Sequence, residues 1–258
     1  MKEVLILIPA HNEEKNIRSV LEPLTRDPYS SLMDVLVIND ASTDATAEVV
    51  AAYPVKVISQ VFNLGYGAAL QTGYKYASQR HYRYVIQLDA DGQHDVCNVM
   101  NIYEALHRPD ADGVLPDIVI GSRFVEGSIS FPIIWLKKIS IGFFRSVIRR
   151  TTGKTILDPT SGLQGLNERA FSCYAKYGSF DVMYPDANMI IQMLFKGFEI
   201  TEIASVMHER KQGTSMHAGI IRPMQYMMIV PLSIMAIYMR KRKEARRQAA
   251  QAAENIRR

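Results

Sequence analysis

Two carboxylates one residue apart, Asp89 and Asp91, end the apolar run in VIQLDADGQHD at residues 85–95. The turn expected at Gly92 brings both acids toward one hard cation. A divalent ion held by one or two carboxylates completes its shell with waters and substrate phosphates, so the pair suits a metal–diphosphate. The plainer alternative is a solvated turn whose acids cap a helix. Two other apolar runs also stop on polar residues. The first ends in Pro9-Ala10-His11-Asn12-Glu13, the second in Asn39-Asp40 followed by Ala41-Ser42-Thr43-Asp44.

The elements that would carry these endings are short and β-branched. VLILIPA, DVLVIND, VKVISQ and YVIQLDA alternate with the helical patterns EEKNIRSVLEPL, TDATAEVVAAY and GAALQTGYKYAS. Continuous apolar strands separated by helices indicate a parallel sheet covered on both faces. Ligands of such sheets sit beyond the carboxyl ends of the strands, which is where the acids fall. The chain has 258 residues, 48% hydrophobic and 22% charged, a globular composition long enough for a full core. Its net charge is only +4, with much of the excess in RKRKEARR near the C-terminus, so no nucleic acid is expected as a partner. Cys97 and Cys173 have no metal spacing and suggest a reducing compartment. The opening MKEVLILIPAHNEE reads as a first strand, since Pro9 and acids break its apolar run early.

IPAHNEE, VINDASTDAT, NLGYGAAL, LDADGQHD and GSRF, in that order, resemble the family 2 glycosyltransferases of the GT-A fold. Within that family the chain is most similar to dolichyl- and polyprenyl-phosphate sugar synthases. DPTSGLQGLNERA and HERKQGTSM extend the likeness to about residue 217. The resemblance implies an α/β, Rossmann-like, mainly parallel sheet flanked by helices. Residues 1–217 would form the catalytic domain, with 131–150 an interfacial segment inside it and 218–258 an apolar helix and basic tail. It further implies a nucleotide-sugar donor (UDP- or GDP-hexose), Mg²⁺ or Mn²⁺, a polyprenyl phosphate acceptor and inversion at the anomeric carbon. By position, Pro9, His11, Glu13, Ile38 and Asp40 match the loops that contact base and ribose. Asp89, Ala90 and Asp91 match the segment holding metal, diphosphate and sugar, with Gln93 in support. Asp158 and Ser161 match an acceptor-side segment. Arg123 and Arg210 match arginines near the phosphates, a role suited to the bidentate guanidinium. Asp91, Arg123 and Arg210 are the residues expected to carry catalysis. One departure stands out: Met216 replaces a lysine that the synthases commonly carry.

Other residues leave two readings open. Gly65 and Gly67 permit either a tight turn facing an anion or close helix–strand packing. Asp44 is read as a helix cap, His94 and Asp95 as loop residues rather than metal ligands. Asp186 sits where related enzymes carry an acid. FPIIWLKKISIGFFRSVIRR, residues 131–150, places Lys138, Arg145 and Arg149 within about 40° on a helix, leaving a broad apolar face. That is the make-up of a helix lying in the headgroup region. MQYMMIVPLSIMAIYM, followed by RKRK, is short for a span and contains Pro231. The expectation is a peripheral protein on the cytoplasmic face of the membrane, its basic residues meeting anionic lipid. A core or oligomer-interface helix is the alternative, and nothing in the sequence reveals oligomeric state. Two further functional readings stay open: transfer to a glycan or protein hydroxyl, and an inactive nucleotide-sugar-binding protein.

Overall fold

The computed structural model describes residues 2–133, 135–209 and 221–257. The elements run β1 (Val4–Ala10), α1 (Ile17–Leu24), α2 (Tyr29–Leu32), β2 (Met33–Asn39), α3 (Thr46–Ala51), β3 (Lys56–Ser59), α4 (Tyr66–Gln79) and β4 (Tyr84–Gln87). They continue α5 (Cys97–Leu106), β5 (Ile118–Ser122), α6 (Trp135–Thr152), β6 (Gln164–Asn167), α7 (Glu168–Ala175), α8 (Ala187–Phe195), β7 (Ile200–Ala204) and α9 (Ile221–Arg257). One seven-stranded sheet has the order β3-β2-β1-β4-β6-β5-β7. Only β6 runs against its neighbours, pairing antiparallel with β4 and β5. The ends of β1, β2, β4, β5 and β7 and the beginning of β6 therefore share one edge.

All seven residues of β1 are buried because both faces of the strand are covered. Alternate side chains go to opposite faces. Leu5, Leu7, Leu36 and Ile38 pack with α4, α6, α7, α8 and α9, while Val4, Ile6, Ile8, Val35 and Val37 pack with α1, α3 and α5. The parallel, doubly covered sheet expected from the apolar runs is what the chain builds.

Two helices differ from expectation in ways that matter for the site. On α6 the inward stripe is Ile141, Phe144 and Ile148, all buried, whereas Trp135, Ile139 and Phe143 form a second apolar stripe open to solvent. Arg145 does not join Lys138 and Arg149 on one polar face. It turns inward, donating from Nε to the Leu157 carbonyl and stacking on Phe124 with 4.2 Å from guanidinium carbon to ring centroid. The 37-residue α9 continues through Pro231, so the proline does not end the element. Its Tyr226, Val230 and Ile234 are buried, and Met228, Leu232, Met235 and Met239 are exposed. Among the described residues no helix is long and apolar enough to cross a membrane.

Candidate active site

The loops after β1 and β2 are stitched together. His11 donates from Nδ1 to the Asp40 carbonyl (2.7 Å), a bond that fixes its tautomer because a carbonyl only accepts. Thr43 N donates to Asn12 Oδ1 (2.8 Å) and Glu13 N to Thr46 Oγ1 (2.8 Å). Asn12 and Ala41 hold positive φ of 54° and 51° here. For Ala41 that region costs on the order of 1–2 kcal/mol, whereas asparagine adopts it readily. The Asp40 carboxylate accepts from Leu64 N and Gly65 N, both at 2.8 Å, and so anchors the NLGYG loop that opens α4. Gly65, at φ +91°, makes the turn, while a Cβ on Gly67 would fall 2.5 Å from the Val182 carbonyl oxygen. Of the two readings for these glycines, Gly67 serves close packing.

At the end of β4, Asp89 is held from several sides. Tyr66 donates its hydroxyl proton to Oδ1 at 2.9 Å, and His94 Nε2 lies 4.0 Å from Oδ2. A Cβ at Gly162 would stand 2.4 Å from Oδ2, so the DPTSG turn leaves room for this carboxylate only because residue 162 is glycine. Asp91 Oδ1 accepts from Gln93 N (3.0 Å), and the Gln93 carbonyl accepts from His208 N (2.7 Å). Burial pushes the His94 imidazole down to about 4, against an opposing pull from Asp91, so it is neutral at pH 7. Asp95 Oδ1 accepts from Cys97 N (2.9 Å) at the start of α5, and its Oδ2 pairs with His208 (2.9 Å). Among the described residues no three His, Cys, Asp or Glu side chains form a metal cage. The carboxylate oxygens of Asp89 and Asp91 are donors of the kind a divalent ion takes when it shares its shell with a diphosphate.

The cationic side of the site comes from β5 and α6. Arg123 is buried and forks onto the fully buried Asp158, Nε to Oδ2 at 2.6 Å and Nη2 to Oδ1 at 2.5 Å, with Nη2 also reaching Thr160 (2.8 Å). Glu202 in turn accepts from Asp158 N at 2.7 Å. Asp158 is thus the partner that holds Arg123, which corrects its expected contact with substrate. Lys137, one turn before Ile141 on α6, is exposed and lies within electrostatic reach of the same groups. Its flank is open to solvent, but surrounding protein pushes its ammonium down, Arg123 adds to this, and Asp158, Asp186 and Asp91 oppose it. Asp186, just before α8, has its carboxyl raised to about 6 by burial, against hydrogen bonding from Tyr226 of α9 and attraction from Lys137.

A model of the family "Glycosyl transferase family 2" matches residues 5–174, well over half of the chain. The chain belongs to glycosyltransferase family 2. This glycosyltransferase is 24% identical over 231 residues to the polyprenol monophosphomannose synthase of Mycolicibacterium smegmatis, covering 84% of this chain and 82% of that protein. It is 35% identical over 129 residues to the undecaprenyl-phosphate mannosyltransferase of Micrococcus luteus, covering 48% and 49%. An uncharacterized protein of Methanocaldococcus jannaschii is 30% identical over 168 residues, 65% and 66% of the two chains. The matches to those last two span less than two thirds of the relatives' length. Among solved structures, glucosyl-3-phosphoglycerate synthase of Mycobacterium tuberculosis in complex with phosphoglyceric acid superposes with a TM-score of 0.62 at 17% identity, covering 93% of this chain and 80% of that one. At that identity the likeness concerns the fold, which is GT-A-like.

Within this glycosyltransferase the expected residues divide by exposure. His11 is exposed, and Glu13, Asp89, Asp91 and Gln93 are partly exposed at the strand ends. Pro9, Ile38 and Ala90 are buried, and Ile38 has no accessible surface, so it shapes a pocket only from behind. Ser161 spends its hydroxyl on the Gly121 carbonyl (2.6 Å) and pins the turn rather than facing a ligand. Arg210, Lys211, Met216 and His217 lie outside the described residues. Lys137, Tyr66 and Tyr226 are the residues that motif reading missed. For Lys137 a signal existed: it stands four before Ile141 and seven before Phe144, on the core stripe of an amphipathic helix.

Proposed function

We propose that this glycosyltransferase moves a hexosyl group from a nucleoside-diphosphate sugar to a polyprenyl phosphate at a membrane surface, inverting the anomeric carbon. One observation carries the reading. The same helix, α6, carries Lys137, on which the charges of Arg123, Asp158, Asp186 and Asp91 act, and exposes Trp135, Ile139 and Phe143. A lipid phosphate needs both, a cationic pocket for the head and an apolar surface for the tail. The exposed methionines and Leu232 of α9 extend that surface, and its basic tail suits the anionic cytoplasmic leaflet. The polyprenyl-phosphate transferases among the relatives support the same acceptor class.

Asp89 and Asp91 would hold a Mg²⁺ or Mn²⁺ ion that neutralises charge on the departing diphosphate, as the Mn²⁺ and Mg²⁺ complexes of a solved relative with UDP encourage. The rest is done by the chain itself. A phosphate monoester has its second pKa at about 6, so it arrives as a nucleophile without help from a base. Lys137 positions it and offsets its charge, with Arg123, buried and already paired to Asp158, behind it rather than facing the phosphate, and direct displacement from the face opposite the leaving group inverts the anomeric carbon. Asp158 keeps the Arg123 fork in one orientation.

A second reading rests on Asp186. A carboxyl raised to about 6 beside the cationic pocket is poised as a general base, which a hydroxyl acceptor needs and a phosphate does not. One experiment separates them: a panel of labelled UDP- and GDP-hexoses incubated with short polyprenyl phosphate and Mn²⁺, with the lipid phase counted. Label in the lipid phase supports the phosphate acceptor, and support grows if Asp186→Asn retains most of it. Failure of every donor to label polyprenyl phosphate rejects it.

A further inference from the structure

Beneath Asp89 lies a chain of hydrogen bonds, buried at Tyr74 and Gln87, whose direction can be worked out from chemistry alone. Gln87 Nε2 lies 2.7 Å from the Gly162 carbonyl oxygen. A carbonyl only accepts, so this contact fixes the amide orientation. The same Nε2 also lies 2.7 Å from the Tyr66 hydroxyl, which must accept there and turn its own proton elsewhere. Asp89 Oδ1, 2.9 Å away, takes it. At the other end Gln87 Oε1 accepts from the Tyr74 hydroxyl at 2.7 Å, and Tyr74 is almost completely buried. Every proton in the series Tyr74, Gln87, Tyr66, Asp89 therefore points the same way, toward the carboxylate. Gly162 joins the chain twice, through its carbonyl on Gln87 and through its bare Cα against Asp89 Oδ2.

We infer that Tyr66 is the positioning residue of the metal site: driven by Gln87, it commits one lone pair of Asp89 and thereby sets which edge of that carboxylate is offered to a divalent ion. The inference rests on the assignment of Asp89 and Asp91 as metal ligands made above. Partners behind a metal ligand fix its orientation, and losing one typically weakens metal affinity by about 10–100-fold. Neighbouring bonds also polarise one another, so the unidirectional series strengthens its last member. Tyr66 belongs to the NLGYG loop that Asp40 anchors, so the loop beside the expected nucleoside site and the metal carboxylate are mechanically one unit.

The test measures Mn²⁺ affinity of the full chain by electron paramagnetic resonance, with Mn²⁺ alone and with Mn²⁺ plus UDP, alongside thermal melting. Tyr66→Phe removes one oxygen and is expected to raise the Mn²⁺ Kd about 10–100-fold. Gln87→Glu keeps the side-chain volume but accepts from Tyr66, drawing its proton off Asp89, and is expected to weaken Mn²⁺ similarly with Tyr66 in place. Tyr74→Phe strands the Gln87 oxygen at the far end, lowering the melting temperature while changing the Mn²⁺ Kd less than threefold. Wild-type affinity in Tyr66→Phe overturns the inference, as does a loss in all three variants that simply follows melting temperature. Absence of Mn²⁺ binding in the wild-type chain, with and without UDP, overturns the metal assignment itself.

Discussion

Lys137→Met tests the cationic pocket with little structural cost. Methionine keeps an unbranched chain of similar length and removes only the charge. Lys137 has an open flank and four charged neighbours, so an effective dielectric between the surface value of about 20 and that of bulk water applies. At roughly 4 Å from an acceptor phosphate and a dielectric of about 40, one unit charge contributes about 2 kcal/mol. That corresponds to about a 30-fold loss in kcat/KM for the polyprenyl phosphate, at about tenfold per 1.4 kcal/mol. The loss should fall on the KM for lipid phosphate and spare the KM for donor. Stability should move the other way. The ammonium's pKa is depressed in the fold, so the charged form is disfavoured there at any pH below the unfolded value. Removing it is expected to leave the melting temperature unchanged or raised. Steady-state kinetics with both substrates varied, beside a thermal melt, reads out the two effects, and Lys137→Arg should restore most of the activity. Less than a threefold change in Lys137→Met would refute the placement of this charge at the acceptor.

Other outcomes follow from the same geometry. Asp91→Asn is expected to reduce hexosyl transfer by at least 100-fold with an unchanged circular dichroism spectrum, and near-normal turnover at saturating Mn²⁺ would reject its role as ligand. Asp186 has a folded pKa of about 6 against an ordinary value of 3.8, so its contribution to stability is full below about 4 and lost as pH rises through about 6. Asp186→Asn should flatten the melting temperature between those limits, and an unaltered pH profile would show that the acid is not held as described. Replacing Met228, Leu232, Met235 and Met239 by glutamine leaves the buried side of α9 intact and should cut partition to anionic liposomes at least tenfold. Equal partition of the two proteins in a flotation assay would remove α9 from the membrane surface.

The strands and the position of the two acids at the end of β4 were legible because their signals are local. VLILIPA and YVIQLDA carry period and burial in their own residues, and the acids stand where the apolar runs stop. Asp158 was misjudged for a physical reason: an acid that holds a buried arginine and an acid that meets substrate leave the same mark in a sequence. Arg145 was placed on a polar face because helical spacing alone does not register that Phe124, some twenty residues earlier, offers a ring to stack on. Asp186 and Tyr226 are forty residues apart and meet only because α8 and α9 pack together. Pairings of that kind are decided by tertiary packing.

The contact between Tyr226 and Asp186 makes α9 a lever. At about 1.5 Å per residue its 37 residues span roughly 55 Å, and the fulcrum lies near one end, where Tyr226 enters the site. One end bears on the Asp186 carboxyl, and the rest carries the exposed methionines and the basic tail. If the proposed membrane docking holds, a surface that aligns the distal end would also act on the contact between Tyr226 and Asp186. Comparing turnover in detergent with turnover on a bilayer measures that coupling, and equal rates would show that there is none.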